Sequence, residues 1–163
     1  MKNMLTAALV LFALQHSSMP SGISHEEHLK QMAKDAELKR RGTLAMGFDQ
    51  DKTAHHFRTS AIGGSIEVEV KDPADSVSRD QVRNHLKEIA AAFAKGDFTK
   101  PFETHAEMPP GVPSMERLKT VIRYKYEKTP RGGLVRISTS DPDALKAVHE
   151  FLAYQAREHH AGS

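Results

Sequence analysis

The sequence predicts an α+β fold built from a strand-strand-helix unit that occurs twice. The first observation is a repeat, in which Phe57 matches Tyr126 (57 + 69) and Pro73 matches Pro142 (73 + 69). The other matching pairs at this offset are Gly63 and Gly132, Gly64 and Gly133, Ile66 and Val135, Val68 and Ile137, and Asp72 and Asp141. Seven matches at one offset indicate an internal duplication.

The second observation is that each copy has an alternating stretch followed by a helical stripe. Ile66, Val68 and Val70 alternate with glutamates, as in a strand that buries one face. Each copy ends with apolar residues at helical spacing. Because a hairpin alone buries too little surface, we expect the two to join as a four-stranded antiparallel sheet. Both helices should cover one face of that sheet, with a pseudo-twofold axis between the copies.

The first residues predict a secretory signal peptide over residues 1–18, without a clear cleavage site. Lys2 precedes a mostly apolar run from Met4 to Leu14. That run is too short for a membrane-spanning helix, which requires about 20 residues. We therefore expect a periplasmic or secreted protein. The alternative is an uncleaved signal, the only route by which we expect a membrane to be involved.

Residues 19–43 predict a linker and a peripheral helix. Ser24 and Glu27 have the spacing of a capping box, and the helix is expected to end at Arg41, before Gly42. Few of its residues are apolar, so loose docking is expected.

The duplicated α+β domain is predicted over residues 44–163. In its first unit, strands are expected over 53–59 and 65–70, joined through a Gly-Gly pair. Ser78 is the expected N-cap of a helix over 79–94, which ends at a Lys-Gly-Asp sequence.

The second unit repeats this order. Strands are expected over 120–128 and 133–140. Asp141 is the expected N-cap of the last helix, which has Pro142 at its first position and extends to about His159.

Between the units, residues 98–114 contain four prolines and no periodicity. Long irregular segments inside a compact domain are often functional. This one contains His105 and Met108, and Met115 follows it. Its alternative role is a covering loop whose methionines fill gaps in the core.

Composition excludes several classes of function. A net charge of +2 does not favour nucleic acid as a partner. The absence of cysteine excludes disulfides and thiolate chemistry. Phosphate-binding glycine motifs and a nucleophile elbow are also absent, so no catalytic residue is predicted. The ten histidines and seven methionines suggest metal binding instead.

One group of candidate ligands lies on the first helix. His25, His28 and Met32 have spacings that place them on one helix face. Imidazole and thioether together suit copper, above all Cu(I). The alternative is an ordinary solvated surface.

A second group lies in the duplicated domain. His55 and His56 are adjacent on a strand, so they point to opposite faces and cannot chelate one ion together, which favours a structural role for one of them. His55 is expected to face inward with Phe57. His85 and His149 occupy comparable turns of the two helices, where each is a core residue or a ligand.

Two segments carry a resemblance to known proteins. Met46-Gly47-Phe48-Asp49-Gln50, followed by Thr53-x-His55-His56-Phe57, and Pro109-Pro110-Gly111-Val112-Pro113 resemble a family of small exported bacterial proteins of unassigned activity. The resemblance covers most of the chain after about residue 44 and implies one domain. It implies no activity and no functional residues.

The sequence thus favours an exported metal-binding protein, with copper preferred over zinc. The expected ligands are His85, His105 and His149, with His55 or His56, and the first helix is an accessory capture site. The alternative is a non-catalytic binding or interaction module, with an apolar cleft between the helices and the proline-rich segment. An enzyme with a histidine base is a third alternative, for which no nucleophile is evident.

Overall fold

The computed structural model describes residues 24–159, so the predicted signal peptide and the first linker residues lie outside it. The helices are α1 (His25–Met46), α2 (Ser76–Ala94), α3 (Thr99–His105), α4 (Val112–Arg117) and α5 (Pro142–Glu158). The strands are β1 (Thr53–Ser60), β2 (Gly63–Val70), β3 (Ile122–Thr129) and β4 (Gly132–Thr139). Short 3-10 turns, Gln50–Lys52 and Lys119–Val121, precede β1 and β3.

The four strands form one antiparallel sheet in the order β1-β2-β4-β3. The two hairpins have the same length and the same offset as the sequence repeat, since 53 + 69 gives the first residue of β3 and 63 + 69 gives that of β4. They meet through β2 and β4, where Ile66 lies opposite Val135. The predicted α+β class and four-stranded sheet are confirmed.

Helices α2 and α5, one from each copy, cover the same face of the sheet, and each covers mainly the other copy's hairpin. α2 packs on β3 and β4, whereas α5 packs on β1 and β2. The core contains Ile66 and Val135 from the sheet, Leu86 from α2, and Val148 and Leu152 from α5. The two copies are therefore interlocked rather than placed side by side.

The first helix is longer than the sequence predicts. α1 continues through Gly42 to Met46 and ends at Gly47, whose φ of 75° is the left-handed conformation that suits glycine. The expected end before Gly42 was wrong, because the helical backbone continues through that buried glycine. A Cβ at Gly42 would lie 2.3 Å from Gln50 Nε2. Residues 24–34 are exposed, while the last turns of α1 pack on α3.

The proline-rich segment is folded rather than irregular. It contains all of α3 and the start of α4, each too short to show an apolar stripe in the sequence. The N-cap of α2 also differs from the expectation, since Asp75 rather than Ser78 caps it and accepts a 2.9 Å hydrogen bond from the Ser78 N–H. Among residues 24–159, no helix combines the length and apolar character needed to cross a membrane.

Candidate functional site

A small pocket lies between the covered face of the sheet and helices α2, α3 and α5, and the end of α1 contributes one side chain. Its cavity volume is about 60 Å³. Most of its wall is apolar, and the apolar lining residues are Met46, Phe57, Ile66, Val68, Leu86, Ile89, Phe93, Pro101 and Phe151. The polar lining residues are His55, His85, Lys100, Thr104, His105, Gln155 and His159. We call this cavity the histidine pocket.

His55 reaches the pocket from the sheet. Alternation along β1 places it on the same face as Phe57, as the sequence predicts, and the two rings stack with centroids 6.3 Å apart. Burial, with smaller contributions from the nearby positive charges of His56 and Lys71, lowers the pKa of His55 to about 4. The buried His55 Nε2 has no hydrogen-bond partner.

His85 reaches the pocket from α2, where it lies on the buried stripe beside Leu86. Its ring is edge-on to that of Phe48, with centroids 5.6 Å apart. Burial lowers the pKa of His85 to about 4, and repulsion from His55 and Lys100 adds to the effect. The ring is therefore neutral at pH 7.

His105 is the last residue of α3 and faces α5. Its Nε2 lies 3.0 Å from Oε1 of Gln155, which is 5% exposed. Burial lowers the pKa of His105, and the hydrogen bond to Gln155 opposes that effect. Two buried nitrogens beside this contact, His105 Nδ1 and Gln155 Nε2, have no hydrogen-bond partner.

His159 follows α5 and lies between two of the other imidazoles. Its ring centroid is 5.4 Å from that of His55 and 5.2 Å from that of His105. Imidazoles from the sheet, from α3 and from the end of α5 therefore converge on one side of the pocket. Met46, from the end of α1, also lines the pocket.

The structure does not bring His149 to the pocket. His149 Nε2 is 2.9 Å from the Ser60 carbonyl and 3.0 Å from the Gly63 carbonyl, so its N–H ties α5 to the turn between β1 and β2. The comparison of His149 with His85 was misleading, because the repeat offset pairs His85 with Tyr154 (85 + 69). His149 has a structural role.

The remaining candidates are also outside the pocket. His56 lies on the opposite face of the sheet from His55, where it pairs in register with Glu67. His25, His28 and Met32 lie on the exposed half of α1, and Met32 is 56% exposed. Within residues 24–159, no group of three or more His, Asp or Glu side chains is placed to hold a metal ion.

Met46, Gln155 and His159 line the pocket and are not among the candidates predicted from the sequence, although two of them left a signal. Gln155 and His159 continue the helical spacing of Val148 and Leu152 on α5. Two polar residues therefore extend the buried stripe of that helix. Met46 gave no such signal because α1 was expected to end before it.

Comparison with family models, with curated proteins and with solved structures gave no match. The geometry of the pocket is therefore the basis for inferring a function. That geometry combines an apolar wall, imidazoles held neutral by burial, and buried nitrogens that have no partner.

Proposed function

We propose that this is a non-catalytic binding protein that takes a small guest into the histidine pocket. One observation carries the proposal: His55 Nε2, His105 Nδ1 and Gln155 Nε2 are buried without a hydrogen-bond partner at a single cavity. Leaving a buried polar atom unpaired costs about 1–3 kcal/mol. A guest that interacts with these nitrogens would remove part of that cost, which favours binding.

The size of the pocket limits the guest. Its volume of about 60 Å³ is well below that of an engineered apolar cavity of about 150 Å³ that binds benzene. Drug-sized ligands occupy pockets of about 300–1,000 Å³. The guest is therefore an ion or a molecule of few atoms, and it binds mainly through nitrogen and apolar contacts.

The lining residues favour binding over catalysis. Among the described residues that line the pocket there is no carboxylate, serine or tyrosine. The Thr104 hydroxyl donates a 3.0 Å hydrogen bond to the Lys100 carbonyl of its own helix. That hydroxyl is therefore not paired with a pocket imidazole that could act as its base.

Xenon tests whether the cavity admits a guest, because it enters small apolar cavities. In metal-free protein under xenon pressure, we expect saturable shifts in the methyl NMR signals of Ile66, Val68 and Ile89. The Val121 methyls, 42% exposed, are the reference for nonspecific contact and should shift little.

Thr104→Met places a longer side chain in the cavity and should abolish the response. The matched control is Glu103→Met, on the exposed side of the same helix, which should keep it. Wild-type protein without a saturable response, or a response that survives Thr104→Met, would contradict the proposal.

A further inference from the structure

The tautomer of His105 follows from its partner. The Gln155 Oε1 atom only accepts hydrogen bonds, so the His105 Nε2 that lies 3.0 Å from it carries the proton and donates. The other ring nitrogen, Nδ1, then has a bare lone pair, and it is buried without a partner. A histidine that ligates a metal commonly donates its second N–H to an oxygen acceptor, which fixes the ring as Gln155 does here.

A second donor faces the same pocket from the sheet. His55 Nε2 is buried and has no partner, and both His55 and His105 lie within 5.4 Å of the His159 ring by their centroids. Met46, which lines the pocket with them, provides a thioether. Two unpartnered imidazole nitrogens and the Met46 side chain therefore belong to one pocket, whose volume of about 60 Å³ suits an ion.

The charge of the wall decides which ion fits. Among the described residues that line the pocket there is no carboxylate and no thiolate. A divalent ion would keep both its charges uncompensated in a mostly apolar wall, at a large cost. Lys100 also lines the pocket, and its exposed ammonium is 3.9 Å from the Glu103 carboxylate, which is not among the lining residues.

Donor softness points to the same ion. Thioether and imidazole together select Cu(I), whereas oxygen-preferring metals require carboxylates, carbonyls or water. A structural zinc site has four protein ligands, and no group of three His, Asp or Glu side chains is placed to hold an ion within residues 24–159. Cu(I) tolerates a low coordination number, which this donor set can satisfy.

We propose that the histidine pocket binds Cu(I) through His55 Nε2 and His105 Nδ1, with Met46 as the thioether ligand. Gln155 is a positioning residue that holds the His105 ring by accepting its Nε2 proton. This inference rests on the proposed function, since it names the guest of the same pocket. Of the ligands predicted from the sequence it keeps His55 and His105, omits His85, His149 and His56, and adds Met46.

Anaerobic titration with a chromophoric Cu(I) chelator tests the site. Loss of an outer-shell partner lowers metal affinity about 10- to 100-fold, and we expect Gln155→Leu to fall in that range. His55→Gln and His105→Gln remove a ligand and should lower the affinity by more than about 100-fold. The matched control, His56→Gln, changes the adjacent residue on the outer face and should stay within about twofold of wild type.

Gln155→Glu keeps an acceptor for the His105 N–H, so it should retain affinity within about tenfold of wild type. X-ray absorption of the Cu(I) protein should show a sulfur neighbour that Met46→Leu removes and Met108→Leu does not. Met46→Leu should unfold at the same temperature as wild type and keep the two imidazole neighbours, so that loss of the sulfur signal alone identifies the thioether as a ligand.

Equal Cu(I) affinity in wild type and His55→Gln would overturn the inference. So would loss of binding in His28→Gln with Met32→Leu, because the metal would then sit on the exposed face of α1. If xenon enters the metal-free pocket but Cu(I) does not bind, the copper inference fails and the proposed function stands. If xenon is also excluded, the proposed function fails as well.

Discussion

At the scale of single residues, burial sets the charge of the pocket histidines. The pKa of both His55 and His85 is lowered to about 4, and in each case desolvation is the largest cause. A neutral imidazole keeps a lone pair on one nitrogen, whereas a protonated ring is a donor at both. Both rings are therefore neutral at pH 7, and the cost of burying them appears at lower pH.

The protonation of His85 predicts a loss of stability in acid. Its pKa is lower in the folded protein than in the unfolded chain, so the stabilisation is complete above about pH 6.5 and is lost as pH falls toward 4. For one such histidine the loss reaches about 3 kcal/mol in the free energy of unfolding. Urea unfolding of metal-free protein between pH 7 and 4 measures it.

His85→Leu removes one titrating group and should flatten this pH dependence, while His25→Leu, at an exposed position of α1, should leave it unchanged. A wild-type unfolding free energy that is constant between pH 7 and 4 would contradict the prediction. Equal slopes for wild type and His85→Leu would show that the acid loss comes from other groups.

At the scale of elements, glycines determine how closely helices approach. Gly111 precedes α4 with a φ of 85°, and a Cβ there would lie 2.1 Å from the Ala147 carbonyl oxygen of α5. Gly47 ends α1 with a φ of 75°, but a Cβ there would have no atom within 4 Å. The two positions share a backbone conformation and differ in their surroundings.

This pair predicts different costs for one substitution. Gly47→Ala should cost about 1–2 kcal/mol, the penalty of a left-handed alanine. Gly111→Ala adds overpacking against backbone, typically about 1–3 kcal/mol more. Denaturant unfolding of both variants gives the comparison. Equal losses would mean that α4 can move away from α5 at little cost.

The elements that form the site differ in how well the sequence predicted them. His55 was placed inward correctly because period-2 alternation around Ile66 and Val68 defines the face of its hairpin. α3 was missed because a short helix that contains a proline has no stripe of its own. Its residue His105 was identified as a candidate, yet its partner Gln155 was not.

At the scale of the whole molecule, the two copies depend on each other. α2 packs mainly on the hairpin of the second copy and α5 mainly on that of the first, so each copy supplies only the smaller part of the cover over its own hairpin. Residues such as Leu86 and Leu152 thus pack across the duplication. Cooperative folding of the two copies follows from this exchange.

Fragments test the exchange. Residues 24–110 and 111–159, expressed separately, should each give poorly dispersed ¹H–¹⁵N NMR spectra, because each has lost the helix that covers its hairpin. An equimolar mixture should recover the dispersion of the intact chain. A fragment that folds alone with native chemical shifts would contradict the interlocked arrangement.

The sequence by itself determined the duplication, the two hairpins, the stripes of the long helices and the inward direction of His55. These features are local, since side-chain alternation and helical spacing depend on neighbouring residues along the chain. Only the tertiary structure decided the histidine pocket. Met46, His105 and Gln155 belong to three helices far apart in the sequence. They meet because α5 packs mainly on the hairpin of the other copy and His105 of α3 contacts Gln155 of α5.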